Sequence, residues 1–190
     1  MFGMLTLLAL SALAAEPAPP TPAEIEAESR RMSGEIAKAV QKNAWTRVER
    51  YYEEARVAGL KLGAADHLAA AEAAKTRGDL GAVYARLAAA VLLDPESTDA
   101  REQIAGLDRI YGRVKLTAVK GAKLEDYEHP FDPNQVKAVD YAIEQMKETG
   151  VFDGLLPPGP YSIDGDPFEV VAGRLTVLDV SPPPPPPKAR

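Results

Sequence analysis

The chain has no cysteine. That excludes disulfides, thiolate metal sites, a cysteine nucleophile and a lipidated N-terminal cysteine. Its two histidines, His67 and His129, leave little material for a His-based metal or catalytic centre. Cations are not in surplus, since 22 Lys plus Arg stand against 28 Asp plus Glu for a formal charge of −6. Neutralising phosphates takes clustered cations, so neither nucleic acid nor an anionic lipid surface is an expected partner. No apolar run reaches membrane-spanning length. The longest, residues 4–15, would cover about 18 Å as a helix against a hydrocarbon core of roughly 30 Å, so an integral membrane protein is not expected. A Gly-rich phosphate loop, a Walker motif and a G-x-S-x-G elbow are also missing, and neither an enzyme nor a cofactor is expected. What remains is a chain of 190 residues with 46% apolar side chains, enough for one folded domain or two small ones.

The 17 prolines mark the joints. Residues 4–15 read MLTLLALSALAA and end on the small-x-small pattern Ala12-Leu13-Ala14. This predicts a cleavable leader over residues 1–15, cut after Ala14 or Ala15, and a periplasmic or secreted protein of a bacterial envelope. Residues 16–22, EPAPPTP, read as an extended Pro-rich linker. Residues 181–190, SPPPPPPKAR, read as a stiff polyproline tail, a spacer or else a ligand for an aromatic-lined groove.

Between them, residues 23–111 hold no proline except Pro95 and are dense in Ala, Glu, Arg, Lys and Leu, the residues that lose least entropy in a helix. Apolar positions recur at helical spacing in five blocks, separated by Lys42-Asn43, the Gly59 to Gly63 stretch, Arg77-Gly78-Asp79 and Asp94-Pro95. Asp94 is expected to cap the fifth helix over residues 96–111, with Pro95 in its first turn. The second and fourth blocks superpose at an offset of 35: Trp45 on Leu80, Val48 on Val83, Tyr52 on Leu87, Ala55 on Ala90, and Asn43 on Gly78 at the preceding turn. The small residues Ala69, Ala70, Ala71, Ala73 and Ala74 let one helix approach its neighbour, and Leu87 and Leu93 are expected to fill the gap beyond. A period near 34 built from two helices resembles the tetratricopeptide repeat. Gly78 to Pro95 carries the likeness best, with the turn Gly, an apolar residue two later, Ala90 and the closing Pro. The first unit departs from it at Asn43, Arg56 and Leu60, and His67 and Ala71 replace the usual aromatic and Gly of the first helix.

At Gly112 the pattern changes. Residues 113–119 alternate Val114, Leu116 and Ala118 against Arg113, Lys115 and Thr117, a half-buried strand. Asp132 and Pro133 open a helix over residues 133–149 with Val136, Val139, Ile143 and Met146 on one face and Gly150 as its stop. Leu156-Pro157-Pro158-Gly159-Pro160-Tyr161, a strand at Phe168 to Val170, the Ala172-Gly173 turn and the apolar run RLTVLDV resemble the closing hairpin of small transthyretin-like β-sandwiches. These include the carboxypeptidase-regulatory-like and PEGA modules. The expected fold class is α+β: a tetratricopeptide-like hairpin stack over residues 23–111, then a small β-sandwich-like or α+β domain over residues 112–180 that contains one helix.

Individual polar residues give little chemistry. Asp164, Asp166 and Glu169 lack the remaining ligands of a calcium loop and read as a solvated turn. His129 beside Asp126 and Glu128 has no nucleophile near it. Trp45, Tyr51 and Tyr52 read as core, His67 as a packing or surface residue, and Glu49-Arg50, Glu53-Glu54 and Arg30-Arg31 as solvated faces. The tetratricopeptide resemblance implies a scaffold that binds a protein or peptide on the face lined by the first helix of each pair. On this chain that face offers Arg30, Ser33, Ala37, Leu68, Glu72, Lys75 and Gln103. A second expectation gives the β domain an envelope glycan or polymer, stacked on Tyr127, Tyr161 and Phe168. A third lets the short stack complete itself as a homo-oligomer, because pairs below about three repeats leave apolar surface uncovered.

Overall fold

Thr21 opens the first helix. Its hydroxyl accepts from the Glu24 amide at 3.3 Å while the Glu24 carboxylate takes the Thr21 amide at 2.7 Å, satisfying two otherwise orphaned donors reciprocally. Pro22, assigned to the linker from sequence, instead occupies the first turn, where its missing N–H costs nothing. The computed structural model describes residues 20–128 and 130–180. The leader, most of the linker, His129 and the polyproline run lie outside the described residues.

Five helices follow in order: α1 (Pro22–Gln41), α2 (Trp45–Val57), α3 (Ala64–Arg77), α4 (Leu80–Leu93) and α5 (Thr98–Ile110). The 35-residue offset is a structural equivalence. Trp45 and Leu80 each start a helix, and Val48/Val83, Tyr52/Leu87 and Ala55/Ala90 are all buried. Asn43 (φ 50°) and Gly78 (φ 82°) both turn through left-handed backbone. The alanine stripe is buried at Ala70, Ala71, Ala73 and Ala74. Two expectations fail locally. Asp94 does not open α5; it ends α4 in extended backbone (φ −134°, ψ 84°), because the proline that follows disfavours helical geometry before it. Ser97 stands at the start of α5 instead. Leu93 is exposed rather than filling the gap beside Leu87.

The remainder contains β1 (Gly112–Thr117), β2 (Leu124–Asp126), α6 (Pro133–Thr149), β3 (Val151–Leu156), β4 (Gly159–Ile163), β5 (Asp166–Val170) and β6 (Leu175–Asp179). They form two three-stranded sheets, ordered β3-β1-β6 and β2-β4-β5. Every pairing is antiparallel except β1 with β6. The α+β class is therefore as expected. Val114, Leu116, Phe152, Leu156, Tyr161, Ile163 and Val170 from the sheets meet Val139, Ala142 and Met146 of α6 in one core. Asp132 caps α6 through its Oδ1, which accepts from Asn134 at 2.7 Å, and Gly150 ends it.

The expected hairpin across Ala172-Gly173 does not form. Strand β5 pairs with β4 through Asp164 (φ 51°) and Gly165 (φ 92°), two consecutive left-handed residues whose twist suits a tight hairpin. Gly173 instead donates its amide to Tyr111 O at 3.0 Å, and Arg174 O accepts from the Arg113 amide at 2.8 Å. The turn is thereby pinned to the start of β1, and the chain crosses from one sheet to the other. Helical and sheet regions also share a core, since Tyr111, Ala138 and Leu155 pack with Ala71, Ala74, Leu80, Val83 and Leu87.

Candidate functional site

Helix α3 packs on α1, α2 and α4, whereas α5 packs chiefly on α4. A cleft of about 260 Å³ remains, lined by Lys75 of α3, the α4 face Leu80, Val83 and Leu87, and Gln103, Gly106, Leu107 and Ile110 of α5. Tyr111, Asp132 and Asn134 close one end. Leu80, Val83 and Leu87 lie buried along one arc of α4 and, with Leu107 and Ile110 of α5, give the cleft an apolar lining. The rim carries a cation, a carboxylate and two amides. Burial and the Asp132 charge together raise the pKa of the Tyr111 hydroxyl, which stays neutral and can donate. Gly106 is notable within α5. A Cβ built there meets nothing within 4 Å, yet glycine inside a helix costs about 1 kcal/mol relative to alanine.

Of the residues expected to bind a partner, Lys75 and Gln103 line this cleft. Glu72 lies one turn before Lys75 and pairs with it at 3.7 Å, and Leu68 packs against the cluster that forms the floor. Three others are elsewhere. Arg30 pairs with Glu26 at 3.2 Å on an exposed face, and Ala37 is exposed on α1. Ser33 is spent internally: its hydroxyl donates to Asp66 Oδ2 at 2.6 Å, and the same oxygen accepts from the Gly63 amide at 2.9 Å. The residues expected to share one face are thus divided between the α3–α5 cleft and α1. Gly106, Ile110 and Asn134 are not among the site residues expected from sequence, and Asp132 is expected there only as the α6 cap, although a glycine inside the α5 pattern is a visible signal.

A second constellation sits behind the cleft. Arg86, with 7% of its side chain exposed, donates to Glu49 at 2.6 and 2.7 Å, to Glu53 at 3.1 Å and to Ala70 O at 2.8 Å. Its guanidinium lies 4.5 Å from the centre of the Tyr52 ring. Glu49 also pairs with Arg77 at 3.0 Å. Burial opposes ionisation of both partners, but the Arg86–Glu49 contact outweighs it, raising the guanidinium pKa and lowering that of the carboxyl. The sequence reading of Glu49 and Glu53 as solvated faces is therefore wrong. Both turn toward a buried cation on another helix. Asp79, which accepts from Ala82 at 2.9 Å at the start of α4, also accepts from the Tyr141 hydroxyl at 2.9 Å. Burial first and the Asp79 charge second push that phenol up to about 12.

His67 is half-buried, with Nδ1 3.0 Å from the Tyr52 hydroxyl. Burial holds its pKa below the ordinary value, with the Asp66 charge opposing and the Arg86 charge assisting. A depressed histidine pKa means that the unfolded chain binds a proton first as pH falls. Its stabilising effect is complete above the unfolded value near 6.5 and declines below it until the folded form also protonates. Thermal melts between pH 7.5 and 5 are expected to show Tm falling with pH, with a shallower fall in His67→Gln. Equal slopes in both proteins reject this role.

The other chemical expectations resolve simply. Tyr161 is 2% exposed and stacks on Phe168 at 5.6 Å inside the domain, so it cannot offer a face to a glycan; Tyr127 remains exposed. Asp164 Oδ1 accepts from the Lys123 amide at 2.9 Å and belongs to the β4–β5 turn. Among the described residues no group of three or more potential metal ligands occurs, and no helix is long and apolar enough to cross a membrane. Comparison with protein-family models, curated proteins and solved structures found no match.

Proposed function

We propose that this chain is an exported, non-enzymatic adaptor of the bacterial envelope that grips a short segment of a protein partner in the α3–α4–α5 cleft. The observation that carries the reading is the apolar-lined cleft beside Gly106, where a Cβ would meet nothing within 4 Å. A cleft of about 260 Å³ accommodates a large apolar side chain. Lys75, Gln103, Asp132 and Asn134 stand where they can bond the backbone and flanking polar groups of an extended peptide. The two equivalent helical hairpins and the resemblance to tetratricopeptide repeats support the same reading. Export rests on residues 4–15.

Filling the cleft is the test. Peptides selected from a random library on the full chain supply the ligand. Burying one large apolar side chain stabilises by about 1.5–3 kcal/mol, so Gly106→Trp is expected to weaken binding on the order of 10- to 100-fold. Gly106→Ala leaves most of the space and is expected to retain affinity while stabilising α5 by up to about 1 kcal/mol. Selected peptides that bind Gly106→Trp as tightly as the unaltered chain rule the cleft out.

A further inference from the structure

A groove of about 570 Å³ runs between the loop after β2, the start of α6 and the β3–β4 turn, and it shares no lining residue with the helical cleft. Its walls are Glu128, Pro130, Phe131, Gln135, Pro157 and Pro158. The Phe131 ring is fully exposed, so it supports nothing in the core. Contiguous apolar surface rimmed by polar groups marks a place where something binds. Two of those polar groups are uncommitted. Neither the Glu128 carboxylate nor the Gln135 amide has a hydrogen-bond or ion-pair partner among the described residues, since the bond at Glu128 is made by its backbone amide. Three proline rings and a phenyl ring, one amide donor and one free carboxylate call for a ligand with rings, carbonyl acceptors, few N–H groups and a cation.

Residues 182–190, PPPPPPKAR, carry that combination. Proline has no N–H, and its ring holds the run in an extended helix that loses little entropy on docking against an aromatic ring. We infer that residues 182–190 of one copy dock in this groove of a second copy. The proline rings lie against Phe131 and Pro158, the Gln135 amide donates to a proline carbonyl, and the cations that end the run pair with Glu128. The direction of β6 excludes the chain's own groove. Strand β6 runs parallel to β1 and ends beside Thr117, at the Val151 end of β3, whereas Pro157 and Pro158 follow the Leu156 end. The chain thus leaves β6 heading away from the groove. Every residue from Ser181 to Pro186 precedes a proline, which disfavours the helical backbone needed to turn back. Each copy offers one tail and one groove, so the contact is heterologous.

Light scattering on the full chain is expected to read a mass that climbs above the single-chain value as concentration is raised to about 1 mM. A synthetic peptide of residues 181–190, added in excess, is expected to return the single-chain mass. Phe131→Ala is expected to keep the parent's Tm and to weaken self-association on the order of 10- to 100-fold. Glu128→Lys is expected to weaken it by about 5-fold. A full-length tail variant, Pro183→Gly with Pro185→Gly and Lys188→Glu, is expected to be as defective as Phe131→Ala. Mixing these two defective proteins is expected to restore a heteromer, because the intact tail of one meets the intact groove of the other. A single-chain mass at every concentration, association that excess peptide leaves intact, either defective variant associating like the parent, or no complementation in the mixture each overturns the assignment.

Discussion

Arg86→Ala is expected to lower the unfolding free energy by about 3 kcal/mol or more, the scale observed when a buried ion pair is broken from one side. The guanidinium is 7% exposed and joins Glu49 and Glu53 of α2 to the Ala70 carbonyl of α3. Its removal leaves Glu49, itself 14% exposed, with only Arg77 among its present cationic partners. Ala70 O loses its side-chain donor as well. Arg86→Lys keeps the charge and loses the two-pronged contact, and an intermediate loss is expected. Replacing both partners, Arg86→Leu with Glu49→Leu, removes the charges together and is expected to recover much of the difference. Urea midpoints at constant m-value measure all three. A loss below about 1 kcal/mol for Arg86→Ala places the cluster with ordinary surface pairs and refutes the claim.

Gly78→Ala is expected to be comparably damaging, for a different reason. The residue turns at φ 82°, and a Cβ there falls 2.2 Å from Lys137 O and 2.5 Å from Lys137 C. Left-handed backbone costs a side chain about 1–2 kcal/mol, and crowding a packed contact adds about 1–3 kcal/mol. The repeat itself supplies the control. Asn43, thirty-five positions earlier, makes the same turn at φ 50° with a full side chain. Gly78→Asn tolerates the conformation but still collides with α6, so it is expected to lose most of what Gly78→Ala loses. Asn43→Gly is expected to change stability by only a few tenths of a kcal/mol. Denaturant titration, with hydrogen exchange across α6, separates the two terms. A Gly78→Asn protein as stable as the parent shows that α6 does not press on this turn.

These two residues mark where the sequence was readable and where it stopped. The equivalence of Val48 with Val83 and of Tyr52 with Leu87 was legible because burial at fixed spacing leaves a periodic trace. Asp132, Pro133 and Gly150 were legible because caps are local. Arg86 was not: its partners are 33 and 37 positions away on another helix, and a single cation inside an apolar block carries no periodic signal. The approach of Lys137 to Gly78 is equally non-local. In the sheets, β1 announced itself by alternation, whereas β2 has three residues and β4 contains Pro160, so neither offered a pattern. The Asp164-Gly165 pair is a hairpin signal in the sequence, masked by the neighbouring carboxylates that suggest a solvated turn. Strand pairing is the least local of these features. A turn at Ala172-Gly173 is compatible with a hairpin, and only the bonds from Gly173 and Arg174 to residues 111 and 113 decide otherwise. At the cleft, the repeat resemblance is what suggested Lys75 and Gln103, while Asp132 and Asn134 reach it from the start of α6, far along the chain.

The parallel bond between β1 and β6 also sets an order of events. Strand β1 is central in its sheet, yet Arg113 finds Leu175 only after the intervening chain has been made. Contacts within the helical hairpins are close in sequence and need no such delay. As the polypeptide leaves the ribosome, the helices can condense while the strand that follows them still exposes one unsealed flank. The sheet is thereby held short of its finished form until translation has passed residue 179.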